Sequence, residues 1–205
     1  MSEQALNLPN TLSVIRIFLS PVFAFLFLSD NQTLVTISFF VFTIAALTDW
    51  YDGWYARRYG FKTKWGRFLD PLADKVLTSS ALICFYLLKQ RDTSFFGTNE
   101  FIPVGFLIVV IIARDLILTT IRSISEFKGR EFGTSFISKM KTFIQMLYIF
   151  FVIGIYAFMF LPGISSASTF LYSRWNYFSL LLITVLTIAS GIAYIFESKQ
   201  KSHIT

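Results

Sequence analysis

Six stretches of mostly apolar sequence, at about 11–28, 34–55, 68–88, 101–121, 143–160 and 177–196, constrain this chain more than any other feature. Each is close to the roughly 20 residues that a helix needs to cross a hydrocarbon core, and well beyond a tilted barrel strand. In lipid the backbone has no water to bond, so such runs have to satisfy their own N–H and C=O groups, which selects helices. Composition agrees: 55% of residues are hydrophobic and 15% charged, with mean hydropathy +0.62, outside the soluble range. The expected fold is all-α, a polytopic membrane protein of six transmembrane helices, with residues 1–205 forming one membrane domain. No leader with a small-residue cleavage site precedes the first run, so that helix is expected to stay. In the opening "MSEQALNLPN", Ala5, Leu6 and Leu8 make a weak apolar face suited to a short interfacial helix, with a frayed terminus as the alternative. Asn10 is placed to cap the first span, and Pro21 to kink or pack it.

Six spans put both termini on one side, and the cations choose it. Arg57, Arg58, Lys62, Lys64 and Arg67 fall in the second connection, Arg122, Lys128, Arg130, Lys139 and Lys141 in the fourth, and Lys199 and Lys201 in the tail. The other side has only Lys89, Arg91 and Arg174. The positive-inside rule then places the termini on the cytoplasmic face of the inner membrane. A net charge of +6 gathered at span ends fits anionic lipid headgroups and argues against nucleic acid. Arg16, Lys75 and Arg114 fall inside spans, where a cation needs a reason. The single cysteine, Cys84, has no second thiol to pair with, and the single histidine, His203, is expected to be solvated in the tail.

The stretch "LTDWYDGWYARRYGFKTKWGRFLDPLADK" supplies the chemistry. Asp49 and Asp52 are three apart at the end of the second span, and Asp70 and Asp74 four apart at the start of the third, so each pair shares a helix face. The two spans run antiparallel, and four carboxylates can surround one volume. A lone Asp at mid-span costs about 2.5–3.5 kcal/mol on insertion scales, and neighbouring like charges repel. Hard divalent cations, Mg²⁺ or Mn²⁺, compensate both effects and prefer oxygen ligands. Gly53 and Gly66 accompany the acids and favour close approach of a backbone or ligand, Ala56 keeps the same face small, and Arg57 offers a fork suited to phosphate. Pro71 is expected to free a carbonyl and bend the third span near the acids. A cation or proton pathway is the alternative, since intramembrane carboxylates mark those too; against it, the acids gather at one end.

Read as DxxDGxxAR, eight residues, then GxxxDxxxD, residues 49–74 resemble the signature of the CDP-alcohol phosphatidyltransferase family with no position missing. "NLPNTLSVIRI", "IARDLILTTIRS" and "SKMKTFIQM" are similar to the phosphatidylglycerophosphate synthase branch, and the likeness covers most of residues 1–146. It implies transfer of a phosphatidyl group from CDP-diacylglycerol to an alcohol with release of CMP, by a six-helix membrane domain that commonly dimerises. By position it makes Asp49, Asp52, Asp70 and Asp74 ligands of two metal ions, with Asp74 also the proton acceptor. Gly53, Arg57 and Thr63 match positions lining the cytidine diphosphate, with Ala56 and Gly66 giving room. Asn10 and Ser13 fall where the first span touches the nucleotide, although Ser13 stands where threonine is common.

The acceptor is read from the cations that remain. Lys75, Arg114, Lys139 and Lys141 can line a pocket beside the metals, and four positive groups suit a phosphorylated alcohol. The alternatives are that Lys139 and Lys141 anchor a helix at the headgroups and that Arg114 pairs with Asp115. The resemblance makes sn-glycerol 3-phosphate the first choice, with serine and inositol phosphate as alternatives.

Overall fold

The computed structural model describes residues 8–59, 64–98, 100–127 and 136–202, with side chains over 12–48, 71–98, 100–125 and 137–194. Every regular element in them is a helix: α1 (Leu8–Phe27), α2 (Gln32–Tyr59), α3 (Lys64–Arg91), α4 (Val104–Phe127), α5 (Phe136–Phe158), α6 (Ser165–Leu171) and α7 (Arg174–Ser202). By length and composition, four stretches qualify as membrane spans: Pro71–Arg91, Val104–Ser125, Ile137–Phe158 and Arg174–Tyr194. The first two helices carry shorter apolar stretches, Leu12–Phe27 and Gln32–Thr48.

Local chemistry sets the helix ends. Asn31 Oδ1 accepts from the N–H of Thr33 at 2.9 Å, capping α2 after a tight connection. The fourth run begins as a helix at Val104 and not at 101, because Pro103 restricts Ile102 and offers no N–H of its own. Asn10 lies inside α1 instead of capping it, since Pro9 is tolerated in a first turn whose N–H groups have no helical partner. Residues 1–7, where an interfacial helix was expected, lie outside the described residues. α3 continues unbroken through Pro71. α5 starts well before residue 143, and α6 sits in what reads from the sequence as a plain connection.

The six long helices close into a ring in the order α1, α3, α4, α7, α5, α2, each packed on its two neighbours. α2 and α3 touch each other far less than each touches α1. At the end away from the acidic motif the interior is aromatic. Phe27 lies 5.3 Å from Phe23, 5.2 Å from Tyr156 and 6.1 Å from Phe85, each pair worth about 0.5–1.5 kcal/mol beyond area burial. Lipid is as apolar as these side chains, so the bundle is held by such contacts and by hydrogen bonds between helices. Gln32 Nε2 and Thr36 Oγ1 both donate to the Ala157 carbonyl, at 2.7 and 3.0 Å, joining α2 to α5. Tyr148 OH donates to Asn176 Oδ1 at 2.8 Å, joining α5 to α7. The outer surface is apolar as well, with Phe18, Phe25, Phe106, Val109 and Leu182 exposed, as a lipid-facing belt requires.

The turn after α3 needs left-handed backbone at Phe96 (φ 72°) and Gly97 (φ 77°). It is secured by the Phe96 N–H donating to Leu171 O at 3.0 Å and by Lys89 paired with Glu100 at 2.7 Å.

Candidate active site

At the opposite end, α2 carries Asp49, Asp52, Gly53, Ala56 and Arg57 on continuous helix, and α3 carries Gly66, Asp70, Asp74 and Lys75 on its first turns. The three- and four-residue spacings therefore fall on helical backbone in both cases. Thr63 lies outside the described residues, as do the side chains of Asn10, Asp49, Asp52, Ala56, Arg57 and Asp70, while Gly53 and Gly66 are placed only as helical backbone. Ser13 and Arg16 of α1 are fully buried. Arg16 Nε donates to the Ala45 carbonyl at 3.2 Å, one turn before Asp49, and Thr48 Oγ1 donates to the same oxygen at 2.8 Å. The first of the three cations inside the spans thus ties α1 to the helix that delivers the first acid pair.

A cavity of about 890 Å³ opens between α2, α3, α4 and α5. Asp74 and Lys75 of α3, Arg114 and Arg122 of α4 and Lys139 of α5 all line it. Asp115 and the hydroxyls of Thr78, Thr119 and Thr142 line it too, and an apolar flank runs from Ala46 and Leu47 of α2 to Phe143, Met146 and Phe150 of α5. Asp74 Oδ2 and Lys75 Nζ are 2.8 Å apart, so carboxylate and ammonium share one edge of the space. A cavity of this size with few convergent charges and an apolar flank suits an amphiphile whose head is anionic.

Lys141 does not line the cavity. It is 2% exposed, its Nζ 2.5 Å from Asp115 Oδ1, because a buried ammonium one turn into the bundle has to find an anion. The same Asp115 oxygen accepts from Arg114 Nη1 at 3.1 Å, and Arg114 Nη2 donates to Ser190 Oγ of α7 at 2.7 Å. Among the described residues, Arg114 Nε has no hydrogen-bond acceptor. Arg114 and Lys75 are thus brought together with Asp74 and Lys139, and Lys141 is set behind them.

The sequence reading assigns no site role to Arg122, Ser190 or Arg16. Arg122 follows Arg114 by two helical turns in "RDLILTTIR", a spacing that keeps both on one face once α4 is known to run to Phe127. Ser190 lies in an apolar run with nothing to single it out.

Among the described residues no three His, Cys, Asp or Glu side chains gather as a metal site, three of the four candidate ligands lying outside them. The donor set, carboxylates on the last turns of α2 and the first turns of α3, is one that a hard divalent cation takes.

Residues 6–189 match the family model for CDP-alcohol phosphatidyltransferase. The chain is similar to proteins named CDP-diacylglycerol–glycerol-3-phosphate 3-phosphatidyltransferase from several bacteria. With that of Bacillus subtilis (strain 168) it is 34% identical over 155 residues, covering 70% of this chain and 74% of the relative. With that of Wigglesworthia glossinidia brevipalpis it is 37% identical over 147 residues, covering 71% and 75%. With that of Salmonella typhimurium (strain LT2) it is 35% identical over 143 residues, covering 69% and 73%.

Proposed function

The chain belongs to the CDP-alcohol phosphatidyltransferase family, and we propose that it transfers the phosphatidyl group of CDP-diacylglycerol to sn-glycerol 3-phosphate, giving phosphatidylglycerophosphate and CMP. The observation that carries this reading is the wall on which Asp74 and Lys75 meet Arg114 and Lys139 around one cavity. Four cations, Lys75, Arg114, Arg122 and Lys139, around the carboxylates of Asp74 and Asp115 suit an acceptor that brings both a hydroxyl to be deprotonated and a phosphate to be held. Serine would leave much of that positive charge unmatched.

In the reaction the acceptor hydroxyl oxygen forms a bond to the phosphorus bearing diacylglycerol, and the bond from that phosphorus to the CMP oxygen breaks. Asp74 takes the hydroxyl proton. Arg114, Lys139 and Lys75 hold the acceptor phosphate, which fixes the hydroxyl for in-line attack. Gly53, Ala56, Arg57, Thr63 and Gly66, with Asn10 and Ser13 from α1, form the cytidine diphosphate side. Asp49, Asp52, Asp70 and Asp74 would hold two Mg²⁺ or Mn²⁺ ions, which when bound neutralise charge on the pyrophosphate and the leaving CMP. The apolar flank lets acyl chains stay at bilayer depth while the polar reactants enter from water.

Six spans, both termini and the active site on the cytoplasmic side of the inner membrane, and a homodimer complete the proposal. The lysine and arginine distribution supports the orientation. The assay is purified protein with labelled CDP-diacylglycerol, Mg²⁺ or Mn²⁺, and each candidate acceptor in turn. Phosphatidylglycerophosphate is the expected lipid, and excess EDTA is expected to stop its formation. Preference for serine or inositol phosphate would overturn the acceptor, and full turnover in EDTA the metal dependence.

A further inference from the structure

The last helix carries none of the signature, yet it touches one of the cations that line the cavity. Arg114 Nη2 donates to Ser190 Oγ at 2.7 Å, and that hydroxyl donates onward to the Thr187 carbonyl at 2.9 Å within α7. Ser190 is fully buried. Its neighbour Gly191 lies under the arginine, and a Cβ there would sit 3.6 Å from Arg114 Nε and 3.7 Å from its Cγ. Alanine would fit; a larger side chain would press on the guanidinium. On the other side Asp115, itself anchored by Lys141, takes Arg114 Nη1 at 3.1 Å. The guanidinium is therefore held between two helices before any ligand arrives. Both α7 residues lie beyond residues 6–189, the segment matched by the family.

We propose that Ser190 is a positioning residue for acceptor recognition: with Gly191 it makes a seat on α7 that presets Arg114 for the phosphate of the incoming alcohol. The proposal rests on the reading of Arg114 as a phosphate-binding residue. A long, flexible side chain loses rotamer freedom when it binds, and fixing it beforehand removes part of that loss from the binding step. One polar group on α7 then contributes to affinity for the acceptor and not to the chemical step.

The test is steady-state kinetics of the full-length enzyme in detergent micelles, comparing Ser190→Ala, Ser190→Thr, Gly191→Ala and Gly191→Val in the native and Arg114→Ala backgrounds. Loss of one such hydrogen bond is expected to raise KM for glycerol 3-phosphate about 5- to 10-fold in Ser190→Ala, with kcat and KM for CDP-diacylglycerol within about twofold. Ser190→Thr keeps the hydroxyl and is expected to restore most of the loss. Gly191→Ala is expected to be near native, and Gly191→Val to reproduce the KM effect with Ser190 intact. An unchanged donor KM shows that each variant is folded. In the Arg114→Ala background Ser190→Ala is expected to add nothing, as for two residues acting through one contact. If Ser190→Ala raises the acceptor KM equally with Arg114 gone, or not at all while Arg114→Ala does raise it, the positioning role is overturned and the acceptor reading stands. If Arg114→Ala leaves the acceptor KM unchanged, the acceptor reading itself falls.

Discussion

Lys141 Nζ and Asp115 Oδ1 lie 2.5 Å apart with side chains 1% and 5% exposed, an ion pair inside the bundle between α5 and α4. Removing one partner of such a pair leaves an uncompensated buried charge, whereas removing both does not. Asp115→Asn is therefore expected to destabilise the protein by roughly 3–5 kcal/mol, and Asp115→Asn with Lys141→Met by clearly less. Thermal melting in detergent checks this, and equal losses in the single and double variants would contradict it.

Asp74 stands at the cavity edge with Lys75 at 2.8 Å. Asp74→Asn keeps its shape and removes its basicity, so turnover is expected to fall by about 10²–10⁴ with CMP affinity little changed. Asp49→Asn, at the other acid pair, is expected to weaken donor binding as well as turnover. Equal loss of CMP affinity in both variants, measured by isothermal titration, would argue against a distinct base role for Asp74.

Apolar runs and acid spacing were legible because both are periodic facts about a helix in lipid. Helix ends were not. α5 begins at Phe136, seven residues before the apolar run, because its first turns carry Lys139 and Lys141 and so do not register as apolar, although one lysine lines the cavity and the other is buried on Asp115. α6, "SSASTFL", is too short and too polar to register as a span, and is fixed by tertiary contacts such as Asn176 Nδ2 donating to Leu171 O at 3.0 Å. Ser190 was invisible for another reason: its partner is 76 residues away in sequence, and only packing of α4 on α7 brings them together.

Gly97 offers a test of the far end of the bundle. Its φ of 77° is strained for any L-residue with a side chain, and a Cβ would lie 3.4 Å from the Arg174 backbone nitrogen. Gly97→Ala is expected to cost about 1 kcal/mol or more of stability, seen as a lower melting temperature. Both substrate KM values are expected to stay native, because the turn is at the opposite end from the cavity. A selective change in acceptor KM would show coupling between the two ends.

Lys139 and Lys141 are two residues apart, look alike in sequence, and are separated by the fold into different tasks. Lys139 is exposed on the cavity wall with Arg114 and Lys75, while Lys141 turns inward to Asp115. A charge-assisted contact to phosphate is worth about 1.5–3 kcal/mol, so Lys139→Ala is expected to raise the glycerol 3-phosphate KM by about 10- to 100-fold. Its melting temperature is expected to stay near native, since no buried partner is left behind. Lys141→Met is expected to do the reverse, lowering stability because the buried Asp115 carboxylate is left with Arg114 as its one remaining ion-pair partner among the described residues, with a smaller effect on KM. The two variants, measured side by side for acceptor KM and melting temperature, distinguish a phosphate ligand from a buried counter-ion. The same profile in both would remove the basis for placing Lys139 in the acceptor site.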